Sequence, residues 1–96
     1  KPHPYQVGEI LVACRPADGS IYKAYQVTVR TEKTIQIQQI QVENGKPMPG
    51  AFVPGSKPER KKPTVRKWTG QWAVYDNNDW QLYKYSAQNQ DVAVSG

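Results

Sequence analysis

Apolar and polar residues alternate along this chain in short runs, and clusters of Gly, Pro, Asn and Asp separate the runs. That pattern predicts β-strands, whose side chains point to opposite faces with a period of two. The run at 9–14, EILVAC, is apolar on both faces: Ile10, Val12 and Cys14 share one side, Leu11 and Ala13 the other. Such a strand is covered on both sides, as where a barrel folds over itself. Pro16 and Asp18-Gly19 predict a turn. A second strand at 21–30 sets Tyr25, Val27 and Val29 against Gln26, Thr28 and Arg30. A third, at 34–43, starts with Ile35 and Ile37 on one face, but Ile40 and Val42 are out of phase with them. A β-bulge at Gln38-Gln39 would return all four to the core. The stretch 44–63 holds five prolines and three glycines and shows no alternation, so it reads as a long loop, with Phe52 and Val53 anchoring its middle. Strands follow at 64–69, 72–75 and 80–85, the last two joined by Asp76-Asn77-Asn78-Asp79 as a hairpin. Residues 1–4 read as an extended lead-in arm and 86–96 as a disordered tail.

No amphipathic helix pattern of useful length occurs. Five to six short strands in fewer than a hundred residues predict an all-β fold: a small SH3-like antiparallel barrel with a long basic, Pro-rich loop, as one domain over 1–85. The SH3-like form is preferred to an OB-like one because no helix separates the third and fourth strands.

The 96 residues allow one modest core. No apolar run approaches a membrane span of roughly 18 residues or more. Cys14 is the single cysteine, so no internal disulfide forms, which fits a reducing cytoplasm. The chain begins at Lys1 rather than Met, which fits a trimmed start and leaves a removed leader open.

Charge changes the picture. Six cations lie within 57–67, namely Lys57, Arg60, Lys61, Lys62, Arg66 and Lys67, against the single acid Glu59, and the remainder of the chain is neutral, so this stretch carries the whole net charge of +5. A patch of that kind holds a polyanion without any pocket or catalytic group. Trp68, Trp72 and Tyr75 follow directly, and exposed aromatics beside cations stack on bases. A large tryptophan in a small barrel is more often core.

Catalytic chemistry is poorly supplied. His3 lies between two prolines at the terminus and reads as an incidental residue, since a general base needs fixed geometry. Cys14 on an apolar strand reads as a small hydrophobe. One Cys and one His do not make a zinc site. Asp76 and Asp79 lack the spacing of a calcium loop and read as turn residues. No Gly-rich phosphate loop is present. The expectation is a non-enzyme without cofactor, metal, membrane partner or small-molecule substrate.

Two resemblances add to this. Val7-Gly8-Glu9-Ile10-Leu11-Val12-Ala13 with Asp18-Gly19-Ser20-Ile21-Tyr22-Lys23-Ala24 resembles the start of a Tudor domain. It covers the first quarter of the chain and is barrel architecture. No aromatic cage is placed by it, so methyl-group binding is not implied. Val7-Gly8-Glu9-Ile10-Leu11, Tyr25-Gln26-Val27, the strand from Thr34 to Ile40 and Arg60-Lys61-Lys62 resemble a family of small phage and mobile-element proteins with no defined activity. Gln38-Gln39 departs from the basic residue usual in that family. The resemblance implies an accessory protein of the host cytoplasm.

The preferred function is nucleic-acid binding through Lys57, Arg60, Lys61, Lys62, Arg66 and Lys67, with Arg30 and Trp68 as further contributors. The alternative is a protein-binding inhibitor of a host enzyme or defence complex. A structural role through an unpaired barrel edge comes third.

Overall fold

The structure, a computed structural model, describes residues 3–85. The 86–96 tail and residues 1 and 2 of the arm lie outside the described residues. Eight strands and no helix occur among the described residues: β1 (Ile10–Cys14), β2 (Ile21–Arg30), β3 (Ile35–Glu43), β4 (Lys46–Phe52), β5 (Glu59–Lys61), β6 (Thr64–Val65), β7 (Trp72–Tyr75) and β8 (Gln81–Tyr85). All pairings are antiparallel, in the order β4-β3-β2-β1-β8-β7-β6, with β5 also on β3. The hydrogen-bonded sheet is not closed. Its two ends are linked through the chain instead, because β5 lies on β3, β6 lies on β7, and only Lys62 and Pro63 separate them. Pro63 is buried at that crossing.

The central strand β1 is apolar on both faces for a reason: it feeds two cores. Leu11 and Ala13 join Tyr5, Tyr25, Val27, Ile35, Ile37, Val74 and Leu82 on one face of the sheet. Ile10 and Val12 join Ala24 and Ile40 on the other, with Cys14, Ile21, Val42 and Tyr85 packed around them. The bulge expected at Gln38-Gln39 is not there. Pairing with β2 runs without interruption through Gln38 opposite Gln26, Gln39 opposite Tyr25 and Ile40 opposite Ala24. Ile40 and Val42 are out of phase with Ile35 and Ile37 because they belong to the second core.

The irregularity lies in β2 instead. Val27 faces Ile37 and Val29 faces Gln36, so Thr28 is the extra residue. A bulge reverses the facing of everything beyond it. Val29 therefore turns outward, 45% exposed, and Arg30 stands opposite the buried Ile35. There its Nε donates to the carbonyl of Tyr5 at 2.6 Å and its Nη2 to that of His3 at 2.8 Å. His3 is correspondingly not incidental. It is 2% exposed, its Nε2 donates to the Thr31 carbonyl at 2.8 Å, and its Nδ1 accepts the Tyr5 N–H at 3.3 Å. The ring stands edge-on to Trp72, 6.4 Å between centroids. A buried polar ring needs both nitrogens satisfied, and here each is.

The segment 44–63 is not a long loop. Asn44 and Gly45 both have positive φ, 54° and 75°, and turn β3 directly into β4. Asn-Gly is the residue pair that adopts this two-residue turn most readily. β4 then follows the outer edge of β3, with Lys46 opposite Glu43, Pro47 opposite Val42 and Phe52 opposite Ile40. The extra residues in between bulge away, and the Gly50 N–H bonds the Gln26 side chain at 2.7 Å. Val53 and Ser56 make a turn, and β5 completes the edge against Ile35–Ile37. Prolines are tolerated because β4 is an edge strand with no ladder beyond it. Of the two expected anchors, Val53 is half-buried and Phe52 keeps 37% of its surface exposed.

Candidate nucleic-acid interface

The strand expected over 64–69 is shorter in the structure. β6 ends at Val65, and Arg66 to Gln71 form a hairpin loop into β7. The Arg66 N–H bonds the Gln71 carbonyl at 2.8 Å, and the Gly70 N–H bonds the Arg66 carbonyl at 2.8 Å, with Gly70 at φ 69°. Lys67 and Trp68 stand at the tip. Trp68 is 93% exposed, against half-burial for Trp72 and 43% exposure for Trp80.

Turn geometry does not require a tryptophan there. The loop between β1 and β2 closes in the same way, Arg15 N–H to Ser20 carbonyl and Gly19 N–H to Arg15 carbonyl, both at 2.8 Å. It carries Pro16, Ala17 and Asp18 where the other carries Lys67, Trp68 and Thr69. Two loops of one shape thus differ in whether they present an indole and a cation to solvent. A large apolar side chain left wholly in water has neither a packing nor a backbone reason in this fold.

The six cations separate by the face they occupy. Lys61 pairs with Ile35 and Glu59 with Ile37, so both side chains share the face of the first core. The Lys61 side chain is only 12% exposed. It donates to Asn77 Oδ1 at 2.6 Å and pairs with Glu59 at 3.4 Å. It ties β5 to the β7–β8 turn and is a fold residue, where the sequence led us to expect an exposed phosphate contact. Lys61→Ala should therefore lower stability by about 1–3 kcal/mol, the range for a charge-assisted bond at a largely covered site. Lys62→Ala should leave the urea midpoint unchanged. Equal midpoints for the two variants would remove this distinction.

Glu59 and Asp76 also act on Tyr25. Burial first, and then these two carboxylates, push its phenol up to about 12 from 10.0. The neutral phenol is the form the fold favours. Its stabilisation is complete below pH 10.0 and is lost as pH rises towards about 12, because the unfolded chain ionises first. Urea midpoints at pH 9 and pH 11 should fall less for Tyr25→Phe than for the native chain. An identical fall would exclude Tyr25 as a source.

The other cations face water. Arg60 is exposed opposite Gln36, and Lys57, Lys62 and Lys67 are exposed as well. None of these four has an ion pair or side-chain hydrogen bond among the described residues. Arg66 donates its Nη1 to Gln81 Oε1 at 2.9 Å, a neutral partner that leaves its charge uncompensated. Arg30 does not join them, since two of its nitrogens are held by the arm. The structure thus places Arg66, Lys67 and Trp68 on the β6–β7 hairpin loop, with Lys62 before β6 and Arg60 and Lys57 further back along the chain.

No protein-family model, curated protein or solved structure matches the chain.

Among the described residues no group of three metal-ligating side chains occurs, and no helix is long and apolar enough to cross a membrane. Beside the hairpin lies an open cleft of about 470 Å³, with Trp72 and Tyr83 among its walls. Composition gave no hint of it, because its residues come from the arm, the hairpin and β8.

Proposed function

We propose that this chain is a small SH3-like binding module that holds single-stranded nucleic acid on the β6–β7 hairpin. The observation that carries this reading is Trp68, 93% exposed and directly preceded in sequence by Arg66 and Lys67. An indole in water next to two cations offers a stacking surface to an unpaired base and positive charge to an adjoining phosphate. A duplex shields its bases from such a platform, so the single strand is favoured. The SH3-like architecture is supported by the two-faced β1 and by the β5–β6 link that carries the chain from one end of the sheet to the other.

A host protein is the second reading. Trp68 and the 49% exposed Val65 stand on one hairpin, and Trp and Arg dominate the energetics of protein interfaces. Salt separates the two. Fluorescence anisotropy of labelled single- and double-stranded oligonucleotides, followed from low to high salt, should give tighter binding of the single strand. The slope of log K against log salt should be about −2 to −3.5 if three to five phosphates are contacted. Absence of binding at low salt would reject the nucleic-acid reading.

A further inference from the structure

The β7–β8 ladder consists of only two pairs, Val74 with Leu82 and Tyr75 with Gln81. Beyond it the strands part, because β7 turns to β6 through Ala73 and Trp72 while β8 turns to β1 through Tyr83, Lys84 and Tyr85. The cleft of about 470 Å³ opens between them, within the range of roughly 300–1,000 Å³ that holds small organic ligands. Pro4 and Tyr5 of the arm also line it. The arm is clamped by Arg30, and Lys84 donates to the Pro4 carbonyl at 3.0 Å.

Its polar groups are oriented. A guanidinium has donors and no acceptor, so the Gln81 atom that Arg66 meets at 2.9 Å is the oxygen. That leaves the Gln81 amide nitrogen as a donor that Arg66 does not use, and Arg66 keeps its charge. Lys84 is already engaged by Pro4 and by Glu9 at 3.3 Å, so it adds positive field rather than a free donor. Along β8, Gln81 and Tyr83 share the face opposite to the buried Leu82, so the cleft presents hydrogen-bond donors beside the 52% exposed Tyr83. Donors beside flat apolar surface fit a planar ring with carbonyl oxygens on its edge.

Resting on the nucleic-acid reading above, we infer that this cleft takes one unpaired base that carries a carbonyl oxygen, as every common base but adenine does, next to the base stacked on Trp68. Gln81 donates to the base carbonyl, Tyr83 supplies the stacking face, and Arg66 meets the adjoining phosphate. Arg66 and Trp68 are two residues apart, at most about 7 Å along the chain, so neighbouring nucleotides reach both. Because Arg66 and Gln71 form the base of the hairpin whose tip carries Trp68, the platform and the cleft are parts of one element.

The test measures labelled dT10 and dA10 by anisotropy on the native chain and on three variants. Native protein should prefer dT10 by about tenfold, the size of one good base-edge contact. Gln81→Leu should abolish the preference, whereas Trp68→Ala should weaken both oligomers and keep the ratio. A dT10 preference that survives Gln81→Leu would come from strand flexibility and would overturn the inference while leaving nucleic-acid binding intact. So would equal binding of the two oligomers by native protein. Tyr83→Ala is a second variant on an exposed side chain, safe for folding, and should weaken dT10 about fivefold or more; unchanged affinity would also overturn it. If neither oligomer binds, the nucleic-acid reading falls and the cleft assignment with it.

Discussion

Trp68→Ala should weaken binding of a single-stranded oligonucleotide by about 5- to 150-fold, equivalent to the roughly 1–3 kcal/mol of one base–aromatic stack. The same variant should unfold at the native temperature, because a side chain 93% exposed contributes almost no buried surface. The pairing of those two results matters. A tryptophan that served the fold would lower both affinity and stability, and one that served nothing would lower neither. Anisotropy with dT10 and a thermal melt followed by circular dichroism check the two halves. Trp72→Ala is the contrasting case. Trp72 packs against the first core and beside His3, so its loss should lower stability first.

The largest effect on stability is expected from Ile40→Ala. Ile40 is 1% exposed and, among the described residues, is one of four buried residues in the second core, with Ile10, Val12 and Ala24. Truncating a buried isoleucine costs about 2–5 kcal/mol. A domain of this size holds about 5–15 kcal/mol in total, so the loss is a large share. The melting temperature should fall by at least about 8 °C, at the lower limit of both ranges. Val29→Ala, at an outward position 45% exposed, should leave it nearly unchanged. A small effect at Ile40 would mean that the second face of the sheet is not a core, and with it the explanation of the apolar phase in β3 would go.

Much of the fold was legible in residue order, and the misses have physical causes. The two-faced run at 9–14 was read as a strand covered on both sides, and the structure places β1 between β2 and β8 with a core on each face. The alternation in β2 located that strand to the residue. Asp76 ends β7 as expected, its Oδ1 accepting the N–H groups of Asn78 at 2.8 Å and Trp80 at 3.0 Å, with Asp79 at φ 62°. The phase change in β3 was seen and misassigned, because one core was assumed where the sheet has two. β4 was hidden by its prolines and by its exposed edge position, which leaves no alternation to read. Asn44-Gly45 was the available signal for it.

The candidate site was legible as charge and only partly as geometry. Charge alone cannot tell Lys61 from Lys62, since the difference is which face of β5 and its crossing each one takes, and that depends on pairing with β3. Nor can it tell Arg30 from Arg66. The bulge at Thr28 turns Arg30 onto the arm, and that bulge leaves no mark in the alternation of β2. Trp68 was read as a contributor against a background in which tryptophans are core. The sign that it differs was its place in Arg-Lys-Trp-Thr-Gly-Gln, a loop closed by Gly70 like the one closed by Gly19.

The most direct test is an amide and indole NMR titration of the protein with unlabelled dT10 at low salt. Shift changes should concentrate at Lys62, Arg66, Lys67, the Trp68 indole and the neighbouring wall of the cleft, and should disappear when salt is raised. Changes confined to the β4 edge or to the Arg15–Ser20 loop, or none at millimolar oligonucleotide, would contradict a nucleic-acid interface on the β6–β7 hairpin.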